Sequence, residues 1–314
     1  MVTKIIPTSF LEIKKEHIKQ RIDNFLFNKF KQLSKNTIYK KIRTGQIRIN
    51  KKRIQPKYKL QLGDYIRIPP IKSFCKNIKT KKLSKKLKSL LDNSILYEDN
   101  YLLILNKPAG IAVHSGSGIN LGIIECFRIL RHKEIELDLV HRLDRGTSGV
   151  LILAKKRSML RELHKQLKEK KVQKKYLALV HGNWPENIKC ISAPLLKTKI
   201  NLNHIVKINN INGKFSKTFF KIKKKYTHNT LMLITPITGR THQIRVHTQY
   251  ANHPIVLDEK YGKINLDNII KSNFSTKRLL LHASSIVFFH PKIKKSLKIV
   301  APIDKEFQNM LNNL

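Results

Sequence analysis

Acidic side chains are scarce in this chain: 20 Asp and Glu stand against 64 Lys and Arg, a formal net charge of +44 over 314 residues. That is more than solubility needs. It disfavours cationic partners and suits a polyanion, although a composition heavy in Lys, Ile and Asn also supplies solvated lysines that need bind nothing. Only three cysteines occur, Cys75, Cys126 and Cys190. They lie far apart with no CxxC pair, which leaves neither a disulfide framework nor a zinc site and fits a reducing cytoplasm. No run of about 18 apolar residues is present, and MVTKIIPTSFLEIKKEH has no long apolar core or small-residue cleavage site. A cytoplasmic protein without membrane contact is expected. Rossmann and P-loop fingerprints are missing, and His242 and His247 are spaced unlike the histidine pair of a zinc helix. Neither cofactor nor metal is therefore expected.

What is present supports a folded protein. With 41% hydrophobic residues, the chain can bury a core in one large domain and a smaller one. Residues 1–19 read as a short N-terminal arm or an edge strand. From residue 20 to 70, Ile22, Phe25, Leu26 and Phe30 recur at helical spacing, Ile38 and Ile42 mark a second helix that Gly45 ends, and strands follow around Asn50-Lys51 and after Gly63-Asp64. Residues 21–69 hold 14 Lys or Arg and two acids, Asp23 and Asp64, the one-sided charge of an RNA-binding module. Residues 71–92 are lysine-rich and read as a linker, either a solvated tether or a track for phosphates.

A larger domain is expected over 93–314. Strands come at Ile95–Tyr97 and Tyr101–Leu105, then a Lys107-Pro108 break and the flexible loop His114-Ser115-Gly116-Ser117-Gly118. Leu160, Leu163 and Leu167 mark an amphipathic helix, Lys174–His181 a buried strand, and Asn212-Gly213 the centre of hairpin-like alternation. Residues 231–234 form a further strand, 238–247 lead into a helix, and 304–314 form a last one. Strands outnumber helices and are mostly joined by turns. That implies an α+β fold with a mixed, mainly antiparallel sheet.

One stretch carries chemistry. His141-Arg142-Leu143-Asp144-Arg145-Gly146-Thr147-Ser148-Gly149 sets a carboxylate between two guanidinium groups and then turns into the apolar run Val150-Leu151-Ile152-Leu153-Ala154. Taken alone, Asp144 reads first as a turn residue in a surface ion pair; held ionised and oriented, it can also serve as a nucleophile or base. HRLDRGTSG followed by VLILAK resembles the catalytic motif of the pseudouridine synthases related to the large-subunit RNA enzymes. The resemblance extends to NKPAGIAVH, to KKYLALV and to TGRTHQIRVH. It implies a pseudouridine synthase fold, Asp144 as the essential catalytic residue, Tyr176 as a catalytic residue that stacks on the target uracil and helps move the proton from its carbon 5, and Arg245 pairing with Asp144. Arg142, by the same analogy, contacts the RNA where the target flips out.

The front segment QRIDNFL…IYKKIRTGQIRINKKRI…YKLQLGDYIRIP resembles the alpha-L motif of ribosomal protein S-four and many RNA-modifying enzymes. That places RNA contact on Lys40, Lys41, Arg43, Arg48, Lys51, Lys52 and Arg53. Together the resemblances imply isomerisation of uridine to pseudouridine in large-subunit ribosomal RNA by a monomer. The reaction gains and loses no atoms and calls for no small-molecule cofactor. Two other readings share the charge and the module, a synthase acting on transfer RNA and a non-catalytic ribosome-assembly factor; an intact HRLD, Tyr and QIR set speaks against the second.

Overall fold

A computed structural model describes residues 3–30, 33–74, 83–115, 121–131, 137–200, 203–274 and 276–314. Cys75 and most of the His114–Gly118 loop lie outside them. The chain divides into two compact units, Met1–Lys82 and Leu83–Leu314. Among the described residues, no helix is long and apolar enough to cross a membrane.

In the first unit, helices Ile22–Lys29 and Lys35–Arg43 pack on a four-stranded sheet ordered Ser9–Glu12, Tyr65–Ile68, Arg48–Ile49, Lys52–Arg53. Ile22, Leu26, Ile38, Ile42, Ile66 and Ile68 form its core. The second helix starts on Ser34, whose Oγ accepts from the Thr37 N–H at 3.1 Å, and ends before Gly45 at φ 69°. Asn50 and Lys51, at φ 48° and 66°, turn the chain between the two short strands. Both acids of this segment are buried: Asp23 takes Arg21 and the Tyr39 hydroxyl, while Asp64 accepts from Asn50, Tyr58 and the Gln61 N–H. Between residues 20 and 70, every exposed charge is consequently positive.

Two expected boundaries shift. Of the two readings of residues 1–19 the edge strand holds, since Ser9–Glu12 is an edge strand of the sheet, and the domain boundary moves because Thr3–Ile6 pairs with Ile71–Phe74. The lysine-rich stretch is likewise not a tether throughout: residues 71–74 make that pairing, 75–82 lie outside the described residues, and Lys85–Asp92 is a helix capped by Ser84 that buries Leu91 in the second unit. Lysine content marked the polar face but hid the apolar stripe of Leu83, Leu87 and Leu91.

The second unit is built on a ten-stranded sheet. Its main path runs Cys190–Ser192, Lys217–Lys225, Asn229–Pro236, Gln173–His181, Leu281–His290, Ser148–Ala154, Leu102–Lys107, Ile95–Glu98. Along this path only the central pair, Ser148–Ala154 with Leu281–His290, is parallel. Ser148–Ala154 is covered on both faces, which explains its unbroken apolar run. Leu151 and Leu153 pack with Leu91 and the helix Ile123–Leu130, whereas Val150 and Ile152 pack with Met159 and Leu163 of the helix Arg157–Lys168. Gly149, at φ 107°, sits against the partner strand where a Cβ would run into the carbonyl oxygen of Ala283. The expected hairpin around Asn212-Gly213 is displaced. The paired strands are Leu195–Ile200 and Asn203–Ile208, and Asn212-Gly213 occupies a later turn closed by the Asn209 side chain.

Candidate active site

At the head of the central strands the sheet opens into a cleft of about 560 Å³, the size of a small-ligand site. The loop 141–147 forms one wall. Leu143 turns into the core, and the Asp144 carbonyl accepts from the Thr147 N–H at 3.1 Å, so the side chain of Asp144 faces the cleft. His141 Nε2 accepts from the Ile152 N–H at 3.2 Å, and burial pushes this imidazole down to about 4. The loop is braced from behind by Lys107, whose buried ammonium donates to the carbonyls of Pro108, Ile111 and Arg145 at 2.8, 2.8 and 3.2 Å.

Neither of the arginines that flank Asp144 in sequence, Arg142 and Arg145, is its partner. Arg145 Nε donates to the Gly110 carbonyl at 2.9 Å, and Arg142 is exposed at the cleft rim. The cation comes from Arg245, on the helix Gln243–Tyr250, whose Nη1 lies 3.2 Å from Asp144 Oδ2. The QIR triplet divides its labour along that helix. Gln243 clasps the preceding turn to the strand Lys217–Lys225 through Thr238, the Arg240 N–H, the Lys217 carbonyl and Thr218; Ile244 enters the core; Arg245 faces the cleft.

Asp258 completes the arrangement. It is buried and holds Arg245 by two parallel bonds, Nε to Oδ2 and Nη2 to Oδ1, each 2.7 Å. Burial alone would lower the guanidinium's proton affinity, but Asp258 first and Asp144 second more than reverse that, so Arg245 is a permanent cation. Tyr176 lines the same cleft from the strand Gln173–His181; burial and then the charge of Asp144 raise its phenol well above the ordinary range. It stays protonated and offers a flat aromatic face rather than a base. His242 caps the Arg245 helix, with Nε2 at 3.8 Å from Asp144 Oδ2 and Nδ1 at 2.8 Å from the Tyr261 hydroxyl.

The RNA pseudouridylate synthase family model matches residues 101–250, and the S4 domain model matches residues 20–66. A ribosomal large subunit pseudouridine synthase C from Buchnera aphidicola subsp. Baizongia pistaciae is 62% identical over 315 residues, covering 100% of both chains. The chain belongs to the pseudouridine synthase family. The like-named protein of Haemophilus influenzae is 50% identical over 99% of this synthase and 97% of its own length. Among solved structures, Human RNA Pseudouridylate Synthase Domain Containing 4 superposes with a TM-score of 0.58 at 25% identity, over 72% of this chain and 95% of that one.

The S4 unit of the synthase carries the other basic residues singled out from sequence. Lys40, Arg43, Lys51, Lys52 and Arg53 are exposed, and Lys41 and Arg48 half-buried. Some are held in place: Lys41 Nζ donates to Gln46 Oε1 at 3.0 Å, Arg48 Nε to the Gly45 carbonyl at 2.9 Å, and the Arg53 side chain lies over Gly45 where a Cβ would collide with it. Sequence reasoning did not find Asp258 or Tyr261 and weighed His242 only as a metal ligand. Asp258-Glu259-Lys260-Tyr261 has no periodicity or motif spacing to announce it, and its role depends on a guanidinium 13 positions away in sequence. Among the described residues, no group of His, Cys, Asp and Glu is arranged to hold a metal.

Proposed function

We propose that this synthase isomerises uridine to pseudouridine in large-subunit ribosomal RNA in the cytoplasm, as a monomer, with Asp144 as the reacting carboxylate. The observation that carries the reading is the pairing of Asp144 with Arg245 inside a cleft that also contains a protonated Tyr176. Arg245 has a firmer hold on Asp258, at 2.7 Å twice, than on Asp144 at 3.2 Å. It orients Asp144 without locking it, which leaves the carboxylate able to react.

Uridine conversion requires the bond between ribose carbon 1′ and uracil nitrogen 1 to break and a bond to uracil carbon 5 to form. Asp144 serves by attacking the ribose or by removing a sugar proton; either frees uracil with the electron pair of the broken bond. The freed base turns within the cleft against the face of Tyr176 and rejoins ribose through carbon 5 as the Asp144–ribose bond breaks or the sugar proton returns from Asp144; carbon 5 then gives up its proton while nitrogen 1 gains one. No atom is gained or lost overall. Exposed Arg142 at the rim contacts the RNA where the target leaves its stack, an unstacking that costs a few kcal/mol, and the basic face of the S4 unit supplies affinity through phosphate contacts.

The test is to map pseudouridine in ribosomal RNA after treatment with wild type and with Asp144→Asn, a near-isosteric change. We expect wild type to convert specific large-subunit uridines, and the variant to convert none while binding the same RNA with similar affinity. Turnover by Asp144→Asn above roughly one part in a hundred of wild type would contradict a reacting carboxylate, whose loss costs at least that factor.

A further inference from the structure

His242 has a geometry that the pairing of Asp144 with Arg245 does not explain. It is the residue before the helix Gln243–Tyr250 and stands at φ 52°, a left-handed conformation that a residue with a Cβ adopts only at a cost. That backbone turns its ring between two partners. Nδ1 is 2.8 Å from the Tyr261 hydroxyl, and Nε2 is 3.8 Å from Asp144 Oδ2.

The proton on this ring can be assigned from the hydrogen bonds around it. The Val206 N–H donates to the Tyr261 oxygen at 3.0 Å, and among the described residues the buried Tyr261 O–H has no acceptor for its own hydrogen other than His242 Nδ1. With Nδ1 accepting, a neutral His242 carries its hydrogen on Nε2, directed at Asp144. The charged and titratable groups facing the ring are Asp144 from the loop 141–147, Arg245 from its own helix, and Asp258, Lys260 and Tyr261 from the segment 258–261. Burial first, with Arg245 and Lys260 opposing Asp144 and Asp258, holds the imidazole below its ordinary range and hence neutral at pH 7.

Arg245 and His242 thus converge on one carboxylate oxygen. Both approach Oδ2, and among the described residues Oδ1 carries no hydrogen bond. We propose that His242 is a positioning residue that, as the neutral Nε2–H tautomer set by Tyr261, joins Arg245 in fixing Oδ2 of Asp144 and leaves Oδ1 as the oxygen that reacts with the nucleotide. The separation of 3.8 Å closes to a hydrogen bond when substrate fills the cleft, as contacts in an empty site commonly tighten in the complex. This rests on Asp144 being the reacting group.

The experiment compares His242→Gln with His242→Leu on ribosomal RNA, alongside Asp144→Asn. Both side chains are unbranched at Cβ and bear the same left-handed backbone cost, but only Gln offers an N–H near the place of Nε2. We expect His242→Gln to keep kcat within roughly threefold of wild type and His242→Leu to lose about 10- to 100-fold in kcat with KM little changed, the range for a hydrogen bond to a charged group. Equal retention or equal loss in the two variants would overturn the donor role. A second reading needs no turnover: nitrogen chemical shifts of the His242 ring at pH 7 should report the neutral Nε2–H form in wild type and a tautomer mixture in Tyr261→Phe. An imidazolium, or a hydrogen on Nδ1, would overturn the assignment. Full activity in Asp144→Asn would sink the underlying function instead, while leaving the tautomer measurement standing.

Discussion

Arg245 and Asp258 are joined more tightly than Arg245 and Asp144, by two bonds of 2.7 Å against one contact of 3.2 Å. Asp258 is therefore the carboxylate that fixes the guanidinium, and Asp144, the proposed reacting carboxylate, borrows its orientation.

Asp258→Asn should on that account impair both folding and turnover. Removing one partner of a buried pair leaves an uncompensated charge at a cost of about 3 to 5 kcal/mol, here reduced because Asp144 remains. We expect a clear fall in Tm and a drop in kcat of roughly 100-fold, the scale reached when a reacting group shifts by an ångström. Thermal melts and single-turnover assays would check it; wild-type kcat would show that Asp258 is dispensable to the site.

Arg245→Lys is expected to be nearly as damaging as Arg245→Ala. A lysine keeps the charge but has one nitrogen, and cannot hold Asp258 with two donors while reaching Asp144 with a third. Kinetics of the two variants side by side would decide the point, and normal turnover in Arg245→Lys would mean that charge alone suffices.

His141 gives a dependence on pH. Its folded-state value of about 4 lies below the ordinary 6.5, so the unfolded chain binds more protons between those values. Its contribution to stability is full above about pH 6.5 and is lost as pH falls toward 4. At most one proton is involved, a slope of about 1.4 kcal/mol per pH unit. Denaturant midpoints of wild type and His141→Gln from pH 7 to 4 should converge as acid is added, and parallel curves would show that the ring titrates normally.

Gly149→Ala tests the centre of the sheet. An added Cβ meets the Ala283 backbone in a strand pair that cannot move apart without opening both hydrophobic layers, and φ 107° adds strain of about 1 to 3 kcal/mol. We expect loss of Tm and activity together; a fully stable Gly149→Ala would mean that the strands separate freely.

Cutting between the two units, at residue 82 so as to keep the helix Lys85–Asp92, should leave a folded synthase unit with weaker, less salt-sensitive RNA binding. Each phosphate contact removed lowers the slope of log affinity against log salt by roughly 0.7 to 0.9. Filter binding across a salt series would measure it, and an unchanged slope would show the basic face of the S4 unit to be mere solvated surface.

Much of this was legible in the sequence because the signals were local. Unbroken apolar runs such as Leu102–Leu105, helical stripes such as Leu160 and Leu163, and the turn pair Asn50-Lys51 depend on near neighbours only. The pairing of Asp144 with Arg245 is a different matter: no spacing rule links residues 101 apart, and the resemblance of two motifs supplied it. Local charge was a poor guide, since Arg142 and Arg145 flank Asp144 in sequence and neither pairs with it. Asp258 and Tyr261 stayed hidden because their roles exist only after Gln243–Tyr250 has docked.

The strand Leu281–His290 lies between the strand that follows Asp144 and the strand that carries Tyr176. During synthesis, both neighbours have emerged long before the strand that unites them. Until it inserts, Gln173–His181 and Ser148–Ala154 each present an open apolar edge, and the two halves of the cleft have no fixed distance between them. Closing loops of this length is slow, and open edges invite pairing with other chains. A nascent synthase should therefore lack isomerase activity until Leu281–His290 has been made and has inserted.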